Sequence, residues 1–256
     1  GGTNPARDMR LLLDLCKLFA RERPAVFLGY TVKPNVYGSL AARWFGVPAI
    51  NNIAGLGTAF IRDSWLTRMV EALYRAGLAR SAKVFFQNND DRQLFIQKAL
   101  VPPQVTGLLP GSGVDTRRFA PVAAVQLTDG EASKPRPFRF LLSARLLRDK
   151  GVVEFVEAAR MLLSEGHQIE CLLLGFMDVA NRTAISRQEL DDWEKAGLVR
   201  YLGAVDDVRP HLASADCVVL PSYREGMPRS LLEAASMEKP IVTTDAPGCR
   251  NVIDNG

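Results

Sequence analysis

Histidine and cysteine are scarce in this chain of 256 residues. The two histidines, His167 and His211, have no metal-ligand neighbour at useful spacing. The four cysteines, Cys16, Cys171, Cys217 and Cys249, are scattered and form no CxxC pair. A zinc site and a disulfide framework are therefore not expected, and the setting reads as reduced and cytoplasmic. No apolar run approaches the roughly 18 residues that a membrane span needs. No internal repeat or low-complexity tract stands out. Asp-x-Asp is missing, so metal-dependent nucleotide-sugar binding lacks its usual ligand. Missing too are Gly-x-Ser-x-Gly, a Walker loop and the full GxGxxG dinucleotide fingerprint. The adjacent pairs Asp90-Asp91, Asp191-Asp192 and Asp206-Asp207 read as helix caps or solvated surface.

What is present is an uneven charge distribution. The net charge is +4, yet residues 1–120 carry 16 Lys/Arg against 8 Asp/Glu, and the remainder 16 against 20. A basic first half suits an anionic partner: a phospholipid surface, a lipid diphosphate or nucleic acid. A solvated basic surface explains it equally well. The chain opens Gly1-Gly2-Thr3-Asn4-Pro5, with no initiator Met and no signal-peptide pattern, and stops at Asn255-Gly256 soon after a strand-like run. The expectation is an internal segment of a longer protein.

Short apolar or β-branched runs alternate with stretches of helical period. Strands are predicted at Ala25–Tyr30, Pro48–Ile53, Lys83–Gln87 and Val105–Leu109, with helices at Tyr37–Trp44 and Ser64–Ala79. Ser64 is a plausible N-cap. Residues 114–137 lose periodicity and hold three prolines, which places a linker at 121–137. The pattern then restarts, with strands at Phe138–Ser143, Ile169–Leu174, Leu198–Leu202, Cys217–Leu220 and Ile241–Thr244. Helices are predicted at Val152–Leu163, Val208–Ala213 and Pro228–Met237. Alternation of this kind predicts the α/β class: two Rossmann-like parallel-sheet domains, 1–120 and 138–256, facing a cleft.

Ligands of open parallel sheets bind where strands end. The segment Pro221–Glu233 runs from strand through loop to helix. Pro228 suits a first helical turn, whose free N–H groups and dipole favour an anion. Glu225 precedes that turn, and Glu233 lies five residues past Pro228, about 7.5 Å along a helix axis. A nucleotide sugar offers a matching series of sugar hydroxyls, diphosphate and ribose hydroxyls. Two ordinary glutamates, one exposed and one on a helix face, are the alternative. The loop Ser143–Gly151 puts Arg145 at a strand end and Lys150 at a helix entrance, where two cations can neutralise a leaving diphosphate. An exposed basic loop looks the same, and Arg148 ranks lower. In the first half, Gly55 and Gly57 follow one strand, and Gly111 and Gly113 follow another. They permit close approach of backbone to a ligand, as glycines of any βα turn do. Lys33, after the Ala25–Tyr30 strand, is expected near the cleft or on ordinary surface.

Taken together these residues resemble the retaining family 4 glycosyltransferases of the GT-B fold. Glu225 and Glu233 are similar to the family's EX7E motif, and Arg145 and Lys150 to its diphosphate-binding pair. Tyr201-Leu202-Gly203 through Leu220-Pro221-Ser222, and Ala246-Pro247-Gly248, resemble the flanking segments. Tyr30–Gly38 and Asn51–Gly57 look like bacterial members that extend lipid-linked oligosaccharides.

The resemblance implies transfer of an N-acetylhexosamine or hexose from a UDP-sugar to a polyprenyl diphosphate-linked sugar, with retention and without a metal or other cofactor. Glu225 would contact the donor sugar and Glu233 the ribose. Gly226, Met227, Pro228, Arg229, Ser230 and Leu231 would line the phosphates and sugar. The protein would lie peripherally on the inner face of the cell membrane, with no nucleic-acid partner. Two departures from the family pattern stand out. Asn251 occupies a position where many members carry Glu, and the family's opening strand, glycine-rich loop and closing helices are missing. A GT-B-fold UDP-N-acetylglucosamine 2-epimerase and a non-catalytic nucleotide-sugar-binding module are the alternatives. The helix Ser64–Ala79 bears on the membrane question. Its stripe of Leu66, Met69, Val70, Leu73 and Leu78, with Trp65 at the start and Arg62, Arg68, Arg75, Arg80 and Lys83 around it, suits either a lipid interface or core packing.

Overall fold

The computed structural model describes residues 5–57, 60, 65–122, 136–177 and 181–253. Ser64, Arg62 and most of the expected linker lie outside the described residues. The chain divides into two compact units. The first comprises Gly1–Ser112 together with two late segments, Arg224–Pro228 and Ala246–Asn251. The second comprises Gly113–Tyr223, Arg229–Asp245 and Val252–Gly256.

The first unit begins with α1 (Pro5–Glu22), followed by β1 (Phe27–Tyr30), a π-helical turn at Pro34–Gly38 and α2 (Ser39–Trp44). Next come β2 (Ala49–Ile53), α3 (Trp65–Leu78), β3 (Lys83–Phe86), α4 (Asn89–Gln97) and β4 (Thr106–Leu108). The four strands pair in parallel in the order β1-β2-β3-β4. Val84 and Phe86 of β3 are fully buried, and Phe86, Phe95 and Tyr74 meet edge-on with ring centroids 5.0–5.1 Å apart. Val70, Leu73 and Leu78 of α3 pack into this core, so most of the stripe considered for lipid contact is interior packing. Trp65, 75% exposed, and Met69 remain outside it, beside the exposed Arg68.

In the second unit come β5 (Phe138–Ser143), α5 (Val152–Ser164), β6 (Ile169–Leu174), α6 (Arg187–Lys195) and β7 (Arg200–Tyr201). They are followed by α7 (Arg209–Ser214), β8 (Cys217–Leu220), α8 (Arg229–Ser236) and β9 (Ile241–Thr243). The strands are parallel in the order β7-β6-β5-β8-β9. Leu141, Leu142, Leu173 and Leu174 are at most 1% exposed, as expected of strands covered on both faces. One core lies on each face of the sheet. Val152, Phe155, Val156 and Leu190 build the first, and Phe119, Leu212, Leu231 and Ala234 the second.

Several elements differ from expectation. The boundary between units falls earlier than 121, because Phe119 packs into the second unit's core and its carbonyl accepts the Ser236 hydroxyl at 2.7 Å. The strand expected at Leu198–Leu202 shrinks to two residues, since Leu198 and Val199 turn into the core. Three helices carried no sequence expectation: α1, α4 and α6. The nine residues of α6 bury only Leu190, too little apolar signal to show a period. Its start was legible all the same, as a capping box in which Ser186 and Glu189 satisfy each other's backbone N–H.

Gly175 ends β6 at φ 141°, and a Cβ there would sit 1.9 Å from the Ala144 carbonyl oxygen. Gly203 has φ 78° with nothing within 4 Å of such a Cβ. Gly175→Ala should therefore destabilise the protein by ~3 kcal/mol or more and Gly203→Ala by only ~1 kcal/mol. Urea denaturation of the two variants checks the difference.

Candidate functional site

In the second sheet the chain leaves β5 in one direction to form β6 and later returns to β5's other side as β8. The carboxyl ends of β5 and β8 are thus a topological switch point, where a parallel sheet opens a crevice. Both segments singled out from the sequence begin there. After β5, Leu146 and Leu147 are buried and anchor the loop, while Arg145 between them and the strand is exposed. Arg148–Lys150 form one 3-10 turn, and Gly151 enters α5 at φ 73°.

The two loops are joined through Asp149. Its carbonyl accepts the Tyr223 N–H at 3.0 Å and the Ser222 hydroxyl at 3.1 Å. Its carboxylate accepts the Thr183 hydroxyl at 2.9 Å. Contact is so close that a Cβ on Gly151 would lie 2.1 Å from the Pro221 carbonyl oxygen. This seam brings the Arg145/Lys150 loop beside the chain that leaves β8. Arg148 pairs with Glu189. A cavity of about 180 Å³ adjoins the same strand ends, lined by Arg145, Gly175, Phe176, Val205 and Val208 among others. Gly175, Phe176 and Val205 carried no sequence expectation, because a hydrophobic cavity wall looks like core in one dimension.

The helix expected from Pro228 begins at Arg229, with Pro228 buried just before it. Leu231 and Ala234 anchor α8 in the core. Exposed Arg229 and half-buried Ser230 stand in its first turn, and Arg229 donates to Glu233 at 3.2 Å. Burial raises the Glu233 pKa above that of an ordinary glutamate, with Arg229 and Arg118 opposing the shift.

Glu225, Gly226 and Met227 belong to the first unit. The Glu225 N–H donates to the Pro247 carbonyl at 2.9 Å, and a Cβ on Gly248 would meet the Glu225 carbonyl oxygen at 2.4 Å. Gly226 passes so near the Ala54 carbonyl that an added Cβ would lie 2.3 Å from it. Gly55, at φ 125°, approaches the Gly226 nitrogen from the other side. Asn251 accepts the Gly248 N–H at 3.1 Å, so this departure from the family pattern has a structural task.

Other expected residues do not join these groups. Gly57 and Gly113 are turn glycines at positive φ with open space where a Cβ would be, and Gly111 is likewise at φ 64°. Lys33 is held by Asp8 of α1 at 2.6 Å, with the Tyr37 hydroxyl on the same carboxylate.

Asp91 overturns the reading of the Asp90-Asp91 pair as caps or solvated surface. Its carboxylate is fully buried, paired with Arg224. Asn88 is the cap, accepting the Asp91 N–H at 2.8 Å. Asn88, Asp91 and Arg224 carried no expectation. A polar run after a strand announces a helix start, but sequence gives no sign of a partner 133 residues away.

The family described as glycosyl transferases group 1 matches residues 137–256. The chain is 30% identical to the N,N'-diacetylbacillosaminyl-diphospho-undecaprenol alpha-1,3-N-acetylgalactosaminyltransferase of Campylobacter jejuni, over 87% of this chain and 59% of that protein. It is 28% identical to the UDP-Gal:alpha-D-GlcNAc-diphosphoundecaprenol alpha-1,3-galactosyltransferase of Escherichia coli, over 97% and 65% respectively. Among solved structures, Anabaena HepE in complex with UDP-glucose superposes with a TM-score of 0.73 at 20% identity, covering 96% of this chain and 66% of that one. The chain therefore spans about three fifths to two thirds of the length of these proteins.

The Glu233 environment is open to a direct test. Its carboxyl should titrate above pH 4.5 in the ligand-free protein, and Arg229→Ala should move that midpoint further up by removing a stabilising cation. Carboxyl-carbon NMR against pH reads both.

Proposed function

We propose that the protein is a retaining glycosyltransferase of bacterial glycan assembly, a reading supported by the GT-B fold and by the match of residues 137–256 to the glycosyl transferases group 1 family. Its donor is a UDP-sugar carrying a hexose or N-acetylhexosamine, and its acceptor a sugar on a polyprenyl diphosphate. The observation that carries this reading is the seam at the carboxyl ends of β5 and β8, where Asp149 ties the Arg145/Lys150 loop to the chain that leads into α8.

The chemistry follows from the residue types. Arg145 and Lys150 supply positive charge for a diphosphate, and the first turn of α8 supplies N–H groups. The cavity beside Arg145, with walls of Phe176, Val205 and Val208, suits the flat, weakly polar face of a nucleobase. Glu233 accepts from ribose hydroxyls. Glu225, four residues ahead of α8 in the chain, accepts from the donor sugar. In transfer, the acceptor hydroxyl oxygen bonds to the anomeric carbon as the bond from that carbon to the diphosphate breaks. The departing diphosphate takes the hydroxyl proton, on the same face, so configuration is kept. Charge building on the diphosphate is met by the two cations, without a metal.

Support for the acceptor comes from the relatives, whose names specify undecaprenol diphosphate substrates. Among the described residues no helix is long and apolar enough to cross a membrane. Peripheral contact with an anionic leaflet is supported by exposed Met9 and Leu13 of α1, interleaved with Arg10 and Lys17, and by Trp65 with Arg68.

Two measurements test the reading. Glu225→Gln should lower kcat by about 10²- to 10³-fold with UDP affinity retained, whereas Arg145→Ala and Lys150→Ala should weaken UDP more than uridine. Wild-type turnover in Glu225→Gln, or equal loss of UDP and uridine, contradicts the assignment. In liposome flotation, the protein should float with anionic vesicles at low salt and less so at high salt. Failure to float under the first condition removes the membrane role.

A further inference from the structure

The first unit holds a buried polar cluster that the donor-site reading does not use. Asn88 is 3% exposed, and its side-chain oxygen is committed to the helix cap of α4. Its amide nitrogen donates to two carbonyls of one loop, Glu225 at 3.2 Å and Gly226 at 2.9 Å, and faces the Asp91 carboxylate at 3.3 Å. Next to it, fully buried Asp91 accepts from Arg224, with Nε at 3.1 Å and a shorter contact from Nη2. Neighbouring Asp90 lies 3.7 Å from Arg250, which belongs to the second late segment. The first turn of α4 thus receives an arginine from each of the two late segments.

A buried ion pair is a poor way to gain stability, because desolvation of both charges offsets their attraction. What this pair and the Asn88 amide have in common is their target. They converge on the residues immediately flanking Glu225 and on its own carbonyl. The N–H of Glu225 is taken by Pro247, so both polar groups of its backbone are held. Gly226 is pressed against Ala54 and Gln87 with no room for a side chain. These contacts hold the loop backbone on both sides of Glu225, and with it the origin of the Glu225 carboxylate.

We propose that Asn88 and Asp91 are positioning residues for Glu225, holding the loop Arg224–Pro228 through its two carbonyls and through Arg224 so that the carboxylate meets the donor sugar in reactive geometry. This rests on the reading of Glu225 as the sugar contact. The side-chain chemistry is specific. Aspartate at 88 would still cap α4 but would face the two carbonyls and the Asp91 carboxylate with oxygen in place of N–H. Lysine at 224 would keep the charge and lose the planar fork.

The test compares Asn88→Asp, Arg224→Lys, Glu225→Gln and the double variant Asn88→Asp/Glu225→Gln in the protein at its full natural length. The readouts are kcat, donor KM, UDP affinity and thermal midpoint. Asn88→Asp and Arg224→Lys should each lower kcat by roughly 10- to 100-fold, the scale of an ångström of misplacement, with UDP affinity unchanged. The double variant should be no slower than Glu225→Gln, because both changes act on one group. Wild-type kcat in Asn88→Asp beside a crippled Glu225→Gln overturns the positioning role and leaves the donor-site reading standing. Normal turnover in Glu225→Gln overturns that reading itself. A double variant whose losses multiply, or a kcat that falls only with the folded fraction, assigns Asn88 to the fold alone. Should Asn88→Asp not fold, Arg224→Lys carries the same comparison, and wild-type kcat there overturns the proposal.

Discussion

The two loops at the carboxyl ends of β5 and β8 are tied together by one backbone carbonyl. Asp149 accepts from both Ser222 and Tyr223 and thereby closes the gap between the loops that follow β5 and β8. Parallel strands placed side by side with their connections running in opposite directions leave a crevice at this point. Exposed residues of these loops, Arg145 among them, are then carried at the strand ends beside it. Gly151 is part of the same constraint, since the approach of Pro221 leaves no volume for a side chain. The cations Arg145 and Lys150 are carried by a loop that this uncharged seam and the buried Leu146 and Leu147 hold.

Much of this was legible in one dimension. Phe138–Ser143, Ile169–Leu174 and Cys217–Leu220 stand where the sequence placed them, because strands covered on both faces read as continuous apolar runs with sharp polar limits. The Glu225/Glu233 spacing and the Arg145/Lys150 loop were equally visible, since each sits at the end of such a run. What failed to show has two physical origins. The helices α4 and α6 bury one or two side chains each, so no apolar period marks them. The partnership of Asp91 with Arg224 joins residues far apart in the chain, and an acidic pair in a polar run reads as solvated surface until its neighbour is known. The stripe on α3 left two readings open, because a period identifies a helix but not what covers it.

The two units illustrate different ways of placing a carboxylate. Glu233 stands on a helix anchored by Leu231 and Ala234, and its partial burial lifts its pKa. Glu225 stands on a loop with no regular structure of its own, so its position has to come from hydrogen bonds to its backbone and from glycines at 226 and 248 that admit close neighbours. A rigid element and a clamped loop reach the same end, and the second requires more buried polar groups to do it.

The central claim is sugar transfer with retention at this site. It is tested most directly by incubating the protein at its full natural length with a panel of UDP-sugars and a polyprenyl diphosphate-linked sugar, then reading the new linkage by NMR. The account predicts a product formed only when both substrates are present, with the anomeric configuration of the donor preserved. Epimerisation of the UDP-sugar without acceptor, or a product of inverted configuration, would contradict it.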